Sequence, residues 1–175
     1  MTTPPFDAPT DADILEVSNQ LGRPARNVIG IPARCVCGKP TVVATKPRLD
    51  DGTPFPTLYY LSHPAATAAV STLEATSVMP QLAALLEGEV ADQYLAAHQA
   101  FLADRESIEV VDEIAGISSG GMPTRVKCLH ALVAHSLSAG PGVNPIGDRA
   151  LEIVAWSPTV CECVDYSAAA EATPE

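Results

Sequence analysis

Aromatic side chains are scarce in this sequence: 5% of its 175 residues are Phe, Trp or Tyr, although 47% are hydrophobic. A core drawn from that stock is made of Ala, Val and Leu and is mainly helical. Basic residues are also few, with 10 Lys and Arg against 21 Asp and Glu and a net charge of −11. That balance repels a phosphate backbone and excludes sequence-independent binding to nucleic acid. Long apolar runs are missing. The longest nearly uncharged one, Cys128–Leu137, reaches about half of the ~20 residues that span a bilayer, so no membrane partner is expected. The N-terminus places Asp7, Asp11 and Asp13 where a secretory leader is basic and then apolar, and the expected compartment is the cytoplasm. There the five cysteines are read as thiols or metal ligands rather than disulfides. A GxxxxGK[ST] loop, a strand-borne GxGxxG and a Gly-x-Ser-x-Gly elbow are all missing, which removes the usual motif grounds for nucleotide binding or serine hydrolysis.

What is present reads as one α+β domain over residues 11–163. Residues 1–10, with three prolines, form an expected disordered tail, and residues 164–175 another. Asp11 or Asp13 caps a first helix carrying Ile14, Leu15 and Val17. Three β-prone runs bounded by Gly or Pro follow, Asn27–Pro32, Thr41–Thr45 and Thr57–Leu61, and predict a small antiparallel three-stranded sheet. Between the last two, Asp51-Gly52 marks a turn in a loop stiffened by Pro47, Pro54 and Pro56.

Helical spacing then takes over. His63 or Ser62 with Pro64 begins one helix, and Pro80 lies near the start of another. Val90, Tyr94, His98, Phe101 and Arg105 lie at steps of four and three on one helical face. Gly121–Ala139 is expected as the central helix, and Asn144 with Pro145 starts the last. The total is about five or six helices packed on the sheet.

Several of these stretches are distinctive together: Arg34-Cys35 with Gly38 and Pro40, PRLDDGTPFPTLYYLSHP from Pro47 to Pro64, and GMPTRVKCLHALVAHSLSAGPGVNPIGD from Gly121 to Asp148. In this combination the sequence closely resembles domain of unknown function family 501, a bacterial and mainly actinobacterial family, over roughly Leu21 to Trp156. The resemblance carries no activity. It implies weight on Cys35, Arg48, Asp51, Gly52, Cys128, His130, His135 and Asn144.

Three chemistries compete for these residues. The first is a metal site, zinc or iron–sulfur, drawn from Cys35, Cys37, His63, Cys128 and Cys163, with Cys161 an alternative to Cys163. Cys35-x-Cys37 and Cys161-x-Cys163 lack the two-residue gap of a zinc knuckle, so the fold must assemble such a site from distant segments. On a continuous helix Cys128 and His135 share a flank but are about 10 Å apart. Cys128 and His130 are ~160° apart and cannot share an ion unless the helix begins after the cysteine.

The second chemistry is a site for a small anionic ligand. Gly120-Gly121 leads an expected helix start, Arg125 and Lys127 follow, and Arg34 or Arg48 completes the site, with a second helix start at Asn144. The segment from Val17 to Leu49 has no acidic residue and holds six of the ten cations, which favours this reading. Catalysis there would use His130 or His135 as acid or base, oriented by Asp50 or Asp51, with Cys35 or Cys128 as nucleophile. The third is a protein–protein module anchored on Trp156 and Phe55, its partner unknown.

Overall fold

The computed structural model describes residues 6–88 and 90–166. Its helices are α1 (Asp11–Leu21), α2 (Pro64–Glu74), α3 (Val78–Ala84), α4 (Val90–Ile108), α5 (Leu129–Ala139) and α6 (Pro145–Ile153). Its strands are β1 (Val28–Arg34), β2 (Pro40–Thr45) and β3 (Tyr59–Leu61), and 3-10 turns lie at Leu85–Glu87 and Asp112–Ile114. The expected α+β single domain is what forms: an antiparallel sheet in the order β1-β2-β3 with six helices among the described residues.

Alternation along β2 sets the layers. Val42 and Ala44 enter the large core shared with α2, α4, α5 and α6, whereas Val43 faces the other way, towards Val17 of α1 and Ile31. Successive strand residues point to opposite faces, so β2 is buried on both and the sheet lies between α1 and the other helices. Of the expected tails, residues 1–5 and 167–175 lie outside the described residues. Phe6 lies on the backbone of Gly30, where a Cβ would collide with its ring, and Ile31 N–H donates to the Asp7 carbonyl at 3.0 Å.

The helix starts follow their local chemistry with two differences. His63 with Pro64 begins α2 and Asn144 with Pro145 begins α6, each side chain accepting a backbone N–H. The cap of α1 is Thr10, and Asp13 is its reciprocal partner three residues on. The α3 helix starts at Val78, before Pro80, which stands in the first turn where no N–H is needed.

The largest departure concerns the expected central helix Gly121–Ala139, which forms only from Leu129 onward. Gly120 and Gly121 have φ of 70° and 98°, left-handed values that favour glycine. Their carbonyls turn inward: Gly120 O accepts from Lys127 N–H at 2.8 Å and Cys128 N–H at 3.2 Å, and Gly121 O from Arg125 N–H at 3.0 Å. The pair therefore closes a loop instead of presenting free N–H groups at a helix start. With it goes the helix start on which the expected anion site at Gly121 was built.

Candidate metal centre

Residues 35–39 connect β1 to β2 in a turn that brings two thiols to one place. Cys35 O accepts the Gly38 N–H at 2.8 Å and Cys35 N–H donates to Lys39 O at 2.9 Å, with Gly38 at a φ of 91° that favours glycine. Below it, Arg34 braces the turn. Its guanidinium donates to Gly38 O at 2.9 Å and grips Asp13 at 2.6 and 2.9 Å. This hydrogen-bonded pair holds the Asp13 carboxyl well below the usual carboxylate range. Arg34 is thus committed to the scaffold and not to a ligand.

The segment after α6 returns to this turn and delivers the second pair. The sulfurs of Cys35, Cys37, Cys161 and Cys163 all lie within 4.8 Å of one another, with Cys37 and Cys163 at 3.4 Å. Tetrahedral zinc–thiolate bonds of about 2.3 Å place sulfurs roughly 3.8 Å apart, so the four are spaced for a single ion. Lys39 secures the approach: its ammonium donates to Val164 O at 2.7 Å and pairs with Glu16 at 3.1 Å. The amide of Lys39 draws the Cys37 thiol down to about 7. Burial pushes Cys35 and Cys163 up, and at Cys163 the sulfurs of Cys37, Cys35 and Cys161 add to this. A divalent cation relieves that crowding, because all four sulfurs can then be thiolates.

His63 lies behind the four sulfurs and is not in the group that could hold one ion. Its Nδ1 accepts the Ala66 N–H at 3.3 Å as the α2 cap, which leaves the proton on Nε2. That Nε2 is 3.2 Å from Cys163 Sγ and donates to it, as groups behind metal ligands commonly do. Trp156 packs on the His63 ring at 5.5 Å and is itself buried, so it is not a surface anchor.

A family model described as "Protein of unknown function (DUF501)" matches residues 31–152. The chain belongs to this family. No curated protein and no solved structure matches it. The matched stretch contains Cys35 and Cys37 and ends before Cys161 and Cys163.

In this DUF501 chain the remaining motif residues are distributed over three places. Cys128 is apart from the other cysteines, at the α5 N-terminus beside His130 and Glu74. It has extended backbone, φ −143° and ψ 110°, because α5 begins one residue later, and this removes the helical separation expected between Cys128 and His130. Both face a cleft of about 760 Å³ bounded by β3, the 116–128 loop and α5, with Arg125 and Lys127 also on its wall. Arg105, buried on α4, fixes that loop by donating to the carbonyls of Ile114 and Ile117, and to Pro56 on the opposite side.

His135 is not in the cleft but in the core. It is fully buried, stacked on Tyr59 at 5.8 Å and edge-on to Phe101 at 5.4 Å, and accepts from Asn144 Nδ2 at 3.1 Å. Asn144 is likewise buried and occupied as the α6 cap. Arg48 donates to Gly52 O at 2.9 Å and Glu113 at 2.7 Å, while Asp51 accepts the Thr53 N–H at 2.9 Å in an exposed turn. The expected grouping of His130, His135 and Asp51 is therefore dispersed. Glu74, by contrast, had no local signal: it reaches Cys128 and His130 only because α2 packs on α5.

Proposed function

We infer that this protein binds one zinc ion through Cys35, Cys37, Cys161 and Cys163, and that the ion clasps the segment after α6 to the β1–β2 turn. The observation that carries this reading is the mutual approach of the four sulfurs within 4.8 Å. An iron–sulfur cluster sets several atoms between its cysteines and spreads them further, whereas a single tetrahedral ion fits this spacing. Four thiolates leave the complex with excess negative charge, and Lys39 stands close enough for the Cys163 thiolate to act on its ammonium. A closed four-sulfur shell has no open position, so the ion is structural.

Protein purified without chelator is expected to carry about one zinc per chain by elemental analysis, and cobalt substitution should give intense thiolate-to-metal absorption. Cys37→Ser and Cys163→Ser should lose the metal. His63→Ala should keep it but weaken binding by roughly 10–100-fold in chelator competition. Metal content under about 0.2 per chain after zinc reconstitution, where a site of this kind binds tightly, rules the reading out.

A further inference from the structure

The cleft beside α5 holds a second cluster that takes no part in the zinc site. We propose that Cys128 is the nucleophile of this cleft, acting with His130 and Glu74 on an acyl compound that carries an anionic group. The reactive atoms of the three residues lie within 4.8 Å of one another, and Cys128 and His130 line the cleft. Glu74 is fixed by the Leu129 N–H, which donates to Oε1 at 2.5 Å.

The state of His130 follows from its neighbours. Its Nε2 lies 3.1 Å from the Ser71 hydroxyl and 3.2 Å from the Thr67 carbonyl, and its Nδ1 3.3 Å from the Glu74 carboxylate. The carbonyl and the carboxylate only accept, which favours a proton on each ring nitrogen, while the hydroxyl can accept or donate, so the ring is drawn towards the cation. A cation beside a thiol at a helix N-terminus favours the thiolate, the form that attacks. In keeping with this, His130 foremost lowers the Cys128 thiol against its burial, and Cys128, then Glu74, raise His130 to about 9. While the ring is a cation it has no free lone pair for a metal ion on the same three residues.

The walls define the ligand. The chain carries a net charge of −11, yet among the described residues none that lines this cleft is acidic, Glu74 standing behind Cys128 and His130, while Arg125 and Lys127 do line it. Neither forms an ion pair among the described residues. Tyr59, Tyr60 and Ile117 supply an apolar side. Such a cleft suits a short apolar body ending in a carboxylate or phosphate.

In the reaction, Cys128 Sγ gives an electron pair to the carbonyl carbon and a C–S bond forms. The bond from that carbon to the leaving group breaks, and the leaving group departs with the electron pair and takes the proton of His130. Water then adds to the thioester and the C–S bond breaks. The acid is released, one proton of the water returns to His130, and Cys128 is again a thiolate. The net change is hydrolysis of the acyl compound.

The test alkylates the full zinc-loaded chain with neutral iodoacetamide and anionic iodoacetate from about pH 5.5 to 9, reading each cysteine by peptide mass. Below pH 7, Cys128 should react at least about tenfold faster than an unstructured cysteinyl peptide, and His130→Gln should remove the excess. The Arg125→Ala/Lys127→Ala double variant should slow iodoacetate about fivefold or more and leave iodoacetamide unchanged. The p-nitrophenyl monoester of succinic acid should leave a succinyl group on Cys128. Peptide-like reactivity of Cys128, indifference to His130→Gln, or protection of Cys128 by a second metal equivalent each overturns the proposal. Because Cys128 is read separately, loss of zinc from the other four cysteines would count against the metal centre and not against this site.

Discussion

His63, His130 and His135 carry the same side chain, and their surroundings set the protonation of each. His63 keeps one proton on Nε2 because Nδ1 is spent on a helix cap, and Cys128 and Glu74, with the Thr67 carbonyl, favour the doubly protonated ring of His130. His135 is neutral because burial lowers it to about 4, partly offset by Asp148. Its native value is depressed, so the unfolded chain takes up a proton on this side chain near pH 6.5 while the native protein does not until about 4. The associated stability is complete above about pH 6.5 and is lost as pH falls from there towards 4, roughly 3 kcal/mol in all. Urea unfolding of His135→Gln beside the parent, at equal zinc saturation, should show a flatter pH dependence in that window. Equal slopes would refute the assignment. None of this was legible in the sequence, where His130 and His135 stand five positions apart as equivalent acid–base candidates. The difference comes from Tyr59 and Phe101 on one side and Glu74 on the other.

At the level of elements, local chemistry carried far. The Asn144-Pro145 and His63-Pro64 starts and the α4 stripe through Tyr94, His98, Phe101 and Arg105 could all be read from spacing, because each is decided within a few residues. The start of α5 could not. Gly120-Gly121 ahead of an apolar run looks the same whether its amides cap a helix or its carbonyls receive the amides of residues 125, 127 and 128, and here the carbonyls do. The α5–α6 contact gives a prediction of its own. A Cβ on Gly147 would run into the Leu132 carbonyl and Ser136 Oγ. Alanine gains about 1 kcal/mol of helix propensity, but overpacking against a backbone carbonyl costs about 1–3 kcal/mol, so the clash prevails. Gly147→Ala should lower the denaturation midpoint without changing the slope, and a midpoint at or above the parent's would contradict this packing.

For the whole molecule, the acid-free basic segment between Val17 and Leu49 shows how a charge pattern misleads. Arg34 pairs with Asp13, Lys39 with Glu16, Lys46 with Asp50, and Arg48 with Glu109 and Glu113. Carboxylates just outside the segment, or far along the chain, thus pair four of the six cations that in sequence look like an anion site. The same long-range folding brings the two C-x-C pairs together, and it decides what metal removal does. On zinc chelation, amides of residues 157–166 should exchange with solvent much faster, while those of α4 and α5 remain protected, because the clasped segment is the part held chiefly by the turn. Uniform loss of protection across the chain would instead make the ion a condition of folding.

Cys163 follows Cys37 by 126 positions, which also imposes an order on the birth of the molecule. At ribosomal speeds the first dithiol emerges on the order of ten seconds before the second. During that interval the young hairpin would offer the proposed zinc ion only half of its ligands, and full coordination would wait until translation had supplied Cys161 and Cys163. Capture of the ion would thereby be postponed until the enclosed helices had been synthesised, and metallation would follow their synthesis instead of preceding it.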